Sequence, residues 1–118
     1  MADQGPSFKP SQVEILPSPL IATMGRAETE SAAALIVHTC AANGDAWQAV
    51  STDMVVRAVR DAGPDSTIGQ IVRNPFLAPD FVGLVAAGFA TRSAVDGATS
   101  YALTENGIAR LGRWVRRG

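Results

Sequence analysis

Several residue types are nearly missing from this 118-residue chain, and each shortage closes off a class of function. Cys40 is the one cysteine, so no intrachain disulfide can form and no thiolate cluster can hold a metal. His38 is the one histidine, two residues from Cys40, a spacing that keeps the pair from facing each other on a helix. A histidine whose ring is solvated or satisfied within its helix leaves no serine–histidine–acid constellation, and no glycine-rich phosphate loop follows a strand. Glu28 and Glu30 are paired acids at a helix start, where they suit the dipole rather than catalyse. The expectation is therefore no enzyme, no catalytic residue, no cofactor and no metal. Long apolar runs are missing as well. The longest, 32–37, is far too short to cross a bilayer, and the N-terminus lacks a basic start followed by an apolar stretch. A cytoplasmic protein without membrane contact is expected.

What is present suits one globular domain: 47% of residues are apolar and 18% charged. The formal net charge is -1, but its distribution is uneven. Residues 1–65 hold four bases and eight acids, and residues 66–118 hold six bases and three acids. The second half thus leans toward a polyanion. Pro6, Pro10, Pro17 and Pro19 make 1–22 a flexible or extended N-terminal arm, with one folded domain over 23–118. Val13, Ile15, Leu16, Leu20 and Ile21 in the arm are apolar enough to dock on the chain's own body, on a second subunit or on another protein.

A helix is expected over 28–43, with Ala32, Leu35, Ile36, Thr39 and Cys40 on one apolar face and Asn43-Gly44 as its stop. A short strand follows within 47–50. Ser51 caps a second helix whose Val55, Ala58, Val59 and Ala62 form a buried stripe, ended by Gly63-Pro64. Thr67 with Gln70 has capping-box spacing, Ser66 is a competing cap, and Ile68, Ile71 and Val72 form the apolar side. Asn74-Pro75 breaks that run. Pro79 fits the first position of a short helix with Phe81, Leu84 and Val85 on one face and Gly88 at its close. The period then changes to that of strands. Segments 89–94 and 99–103 flank Asp96-Gly97, a hairpin turn that pairs Arg92 with Tyr101 and Ala90 with Leu103. Thr104 caps a last helix with Ile108, Leu111 and Val115 inward and Trp114 beside them. The fold class is mainly α with a small β-hairpin, α+β.

The segment 84–111, LVAAGFATRSAVDGATSYALTENGIARL, resembles the end of winged helix–turn–helix proteins of the bacterial MarR and PadR kind. Leu84, Gly88, Phe89, Tyr101, Leu103, Thr104, Gly107 and Leu111 carry the resemblance. It implies that 23–118 is a winged-helix domain, a DNA-binding transcription regulator acting as a homodimer. The 28–43 helix, the arm and the last helix are the candidate dimer surfaces. Asn74-Pro75 and Ala78-Pro79 interrupt the stretch where such proteins carry one continuous recognition helix, and this leaves two registers open. In one, the recognition element begins at Ser66. In the other it is 79–87, which offers Asp80 as its one polar side chain.

The first register gives the candidate DNA-binding residues. Ser66, Thr67, Gln70, Arg73 and Asn74 would meet the major groove of double-stranded DNA, with Arg92, Arg110, Arg113 and Arg117 on phosphates. A structural reading stands beside each arginine. Arg92 could lie over Tyr101 as a cation–π pair, and Arg110, Arg113, Arg116 and Arg117 could serve the dipole at a helix C-terminus. The lightly charged hairpin and the interrupted recognition element point instead to a winged-helix module that binds a protein partner.

Overall fold

The computed structural model describes residues 8–15 and 27–115, and within them the backbone alone of 95 and 112–115. In chain order the elements are α1 (Ala27–Ala42), β1 (Val50–Ser51), α2 (Thr52–Ala62), α3 (Thr67–Arg73), α4 (Phe81–Ala86), β2 (Ala90–Val95), β3 (Ala98–Leu103) and α5 (Glu105–Val115). The described residues also form two single 3-10 turns, Pro10–Gln12 and Pro75–Leu77. The architecture is α-rich with one three-stranded antiparallel sheet in the order β1-β3-β2. Among the described residues no helix is long and apolar enough to cross a membrane.

The axis of this arrangement is α1. The sequence predicts one apolar face for it, but residues 29–37, 39 and 40 are all buried. The helix contacts α2, α3, α4, β1, β3 and both 3-10 turns, so it is a core helix wrapped by its own chain. Small residues make this possible: Ala32, Ala33 and Ala34 let neighbours approach closely. The hydroxyls of Ser31 and Thr39 donate to the carbonyls of Ala27 and Leu35, at 3.0 and 2.8 Å, which satisfies them without water. Enclosed in this way, the helix keeps little exposed surface of its own.

The hairpin forms in the expected register, with Ala90 opposite Leu103 and Arg92 opposite Tyr101. Asp96 and Gly97 hold φ of 53° and 81°, the left-handed pair that a two-residue turn between twisted strands requires. The short strand before α2 pairs Val50 with Tyr101 and makes β3 the central strand. Thr104 joins hairpin to helix. Its hydroxyl donates to the Gly88 carbonyl at 2.8 Å and accepts from the Gly107 amide at 3.1 Å. Gly107 itself lies so close to the Phe89 carbonyl that a β-carbon there would collide with it, which explains a glycine inside α5.

One open choice is decided and two local expectations are corrected. Of the two candidate caps of α3, Ser66 is the one used, accepting from the Gly69 amide at 3.0 Å. Asp80, not Pro79, starts α4, its carboxylate accepting from Gly83 at 2.8 Å, because aspartate can supply an acceptor and proline cannot. Val72, expected inward, is 39% exposed, since α3 turns its core side through Ile68 and Ile71 instead.

Of the N-terminal arm, residues 8–15 dock on the chain's own body. Val13 and Pro10 are buried, and the Phe8 ring meets Trp47 edge-on at 5.7 Å. Leu16, Leu20 and Ile21 lie outside the described residues.

Candidate functional site

Seven residues give α3 about two turns, and helical spacing sorts them cleanly. Ile68, Gly69 and Ile71 are buried, whereas Thr67, Gln70 and Arg73 are exposed and Asn74 half-buried at the C-cap. Gln70, Arg73 and Asn74 line an open depression of about 340 Å³ with Pro64 and Asp65. Four of the five candidate groove-reading residues thus share one outward side. The fifth does not. The Ser66 hydroxyl donates to Gly63 at 2.7 Å while accepting from Gly69, so capping consumes it.

The free chemistry of the others is narrower than their names suggest. The Gln70 amide NH2 donates to the Asp65 carbonyl at 3.2 Å, which turns its carbonyl oxygen outward as the available group. The Asn74 side-chain oxygen accepts from the Phe76 amide at 2.9 Å, leaving its NH2 to donate. Asp65 brings a negative charge to the same depression as Arg73. The alternative recognition helix, α4, turns Val82 outward at 71% exposure and uses Asp80 as its cap, so it lacks a donor side chain for base edges.

The arginines separate. Arg92 is exposed on β2, and it is Phe81, not Arg92, that lies against Tyr101, stacked with centroids 4.8 Å apart. Arg110 turns inward. Its Nε donates to the Glu30 carboxylate at 3.1 Å, and its guanidinium lies 5.5 Å from the centroid of the Phe89 ring. A side chain expected on phosphates is engaged with the core. The Arg113 side chain, Arg116 and Arg117 lie outside what the structure describes.

Glu30 is the residue the sequence reading missed. It is 4% exposed, and burial raises its pKa while Arg110 pulls it down less strongly. A signal existed in the sequence: Glu30 shares its helix face with Ala33, Ala34 and Val37, at i+3, i+4 and i+7. His38 and Cys40 serve packing. The His38 Nε2–H donates to the Ala58 carbonyl at 3.3 Å, tying α1 to α2. Burial pushes the Cys40 thiol above its ordinary range, which suppresses its reactivity.

On the opposite side of α3, Leu35, Val55, Val56, Val59, Arg60, Val72 and Pro79 wall an apolar groove of about 420 Å³. Nothing in the sequence pattern marked it, because its walls come from α1, α2, α3 and the loop before α4. The chain matches no known protein family, no curated protein and no solved structure.

Proposed function

We propose that this chain is a winged-helix protein that binds double-stranded DNA, as a transcription regulator does. The order α1, β1, α2, α3, α4, hairpin, α5, with β1 on the central strand, supports the winged-helix reading. The observation that carries DNA binding is the outward side of α3, where Thr67, Gln70, Arg73 and Asn74 stand together. In this reading the Gln70 oxygen and the Asn74 NH2 meet base edges, Arg73 meets a base or phosphate, and Arg92 on the hairpin follows the backbone.

A mobility-shift titration on duplex DNA at low salt tests it. Arg73→Ala should weaken binding to all sequences and lower the salt slope by about one. Gln70→Ala should relax sequence preference instead. Absence of any shift with Arg73 intact ends the DNA reading. Unchanged preference in the Gln70→Ala, Arg73→Ala double variant removes α3 as the recognition element.

A second reading, a winged-helix module that binds a protein, is favoured by the exposed apolar side chains. Phe76 is 81% exposed, Val82 71% and Val56 55%, apolar surface of the kind that a protein partner covers.

A further inference from the structure

We propose that Phe76 determines sequence preference at the α3 surface, its ring packing on the 5-methyl group of a thymine in the major groove. This rests on the DNA reading above and names the base that the surface prefers. Among the described residues, Phe76, Val82 and Val56 are large apolar side chains more than half exposed. Val56 belongs to α2 and Val82 to α4. Phe76 is instead tied to the candidate site, because its amide donates to Asn74 Oδ1 at 2.9 Å. The turn that carries it is anchored on both sides. Pro75 fixes its own φ, the Leu77 amide donates to the Asn74 carbonyl at 2.9 Å, and the Leu77 side chain is buried. The exposed ring thus projects from a held backbone, which lowers the ordering cost of any contact it makes.

The chemistry this pair of residues can meet is narrow. Asn74 Oδ1 is occupied by the Phe76 amide, so the NH2 is the group left for a base, and a donor calls for an acceptor. In the major groove the acceptors are O6 and N7 of guanine, N7 of adenine and O4 of thymine. Thymine alone carries a methyl group, on the ring carbon next to the one that bears its acceptor. A donor with an apolar ring held beside it therefore matches the edge of thymine, with O4 on Asn74 and the methyl on Phe76. The other bases offer the ring no apolar group in that groove. A ring exposed at this point gains most where a thymine lies opposite.

A pool of random DNA duplexes, selected at low salt on the full chain, supplies the preferred site. Mobility-shift titrations then compare that duplex with copies in which one thymine at a time is replaced by uracil, which lacks only the methyl. At one thymine the parent chain should bind about fourfold more weakly, the worth of one buried methyl group. Phe76→Ala should bind the thymine duplex about as weakly as the parent binds the uracil one, and should not distinguish the two. Phe76→Leu, still apolar, should keep part of the preference. The salt slope should stay the same throughout, because no phosphate contact is changed. Circular dichroism shows whether the variants fold, and the uracil series on the parent chain needs no variant. Retention of no duplex removes the DNA reading and this proposal with it. Duplex binding that ignores every uracil replacement overturns this proposal alone. So does a methyl preference that survives Phe76→Ala, which leaves Phe76 to the protein-binding reading.

Discussion

Both ends of the described chain are tied down by one carboxylate each, and the two ties are built on opposite physics. At the N-terminal end, Asp45 just beyond α1 accepts from the Ser11 amide and the Ser11 hydroxyl, both at 2.7 Å. These bonds, the side-chain one foremost, hold the Asp45 carboxyl below its ordinary pKa. At the C-terminal end, Glu30 in the first turn of α1 receives Arg110 from α5, and burial holds its pKa above the ordinary value. The surface tie favours its charge because the hydrogen bonds from Ser11, the hydroxyl's first, outweigh the desolvation that opposes them. The buried tie carries its charge at a cost that Arg110 offsets in part. Attachment of a chain end therefore says nothing about how strongly it depends on charge; burial decides that.

The largest expected effect comes from breaking the buried tie on one side. Arg110→Ala leaves Glu30 without a cation and bares the Phe89 ring. It should destabilise the fold by about 2–4 kcal/mol, below the full range for a buried pair because Glu30 can take up a proton. Urea unfolding measures this. A loss under about 0.5 kcal/mol, the scale of an exposed pair, would make the two ties alike.

The N-terminal tie should respond less and more locally. Trp47→Ala removes the edge-on contact with Phe8 and the indole N–H donated to the Phe8 carbonyl at 2.9 Å. An aromatic pair and one hydrogen bond together suggest a loss of about 1–2 kcal/mol. Hydrogen exchange should show the amides of Ser11, Gln12 and Val13 losing protection while those of α1 and β3 keep theirs. Loss of protection throughout would mean that residues 8–15 belong to the core as fully as α5 does.

The difference between the ties also marks what the sequence could disclose. Contacts made within a few residues were legible: the Asp96-Gly97 turn, the Arg92–Tyr101 register, and the caps at Ser51 and Thr104 each rest on local chemistry. The outward side of α3 was legible for the same reason, since helical period alone sorts Gln70 and Arg73 from Ile68 and Ile71. Arg110 was not. Its partner lies 80 residues away, and the periodicity that set it beside Arg113 and Arg117 cannot tell a solvated arginine from one reaching into a neighbouring helix. Glu30 escaped because an acid in a first turn already has a sufficient local explanation. The apolar groove escaped because no single element owns it.

Acid titration sharpens the comparison with the smallest perturbation, since two isosteric variants remove one charge each. The folded-state pKa of Glu30 is raised above its ordinary 4.5, so the folded chain holds this proton more tightly than the unfolded one. Its contribution is complete below the ordinary pKa and is lost as pH rises through the folded value. Glu30→Gln keeps an oxygen for Arg110 and removes the titration. The variant should therefore match the parent in acid and gain on it as pH rises from about 4 towards neutrality. Asp45 carries the opposite sign. Its folded pKa lies below the ordinary 3.8, so its contribution is present above that value and is lost as pH falls through the folded one. Asp45→Asn should lag the parent near neutral pH and converge with it in acid. Melting temperatures of the three chains from pH 2.5 to 8 should thus give difference curves that both approach zero in acid and depart in opposite directions as pH rises. Curves departing in the same direction would mean that Arg110 outweighs the burial of Glu30, and that the two ties share one physics.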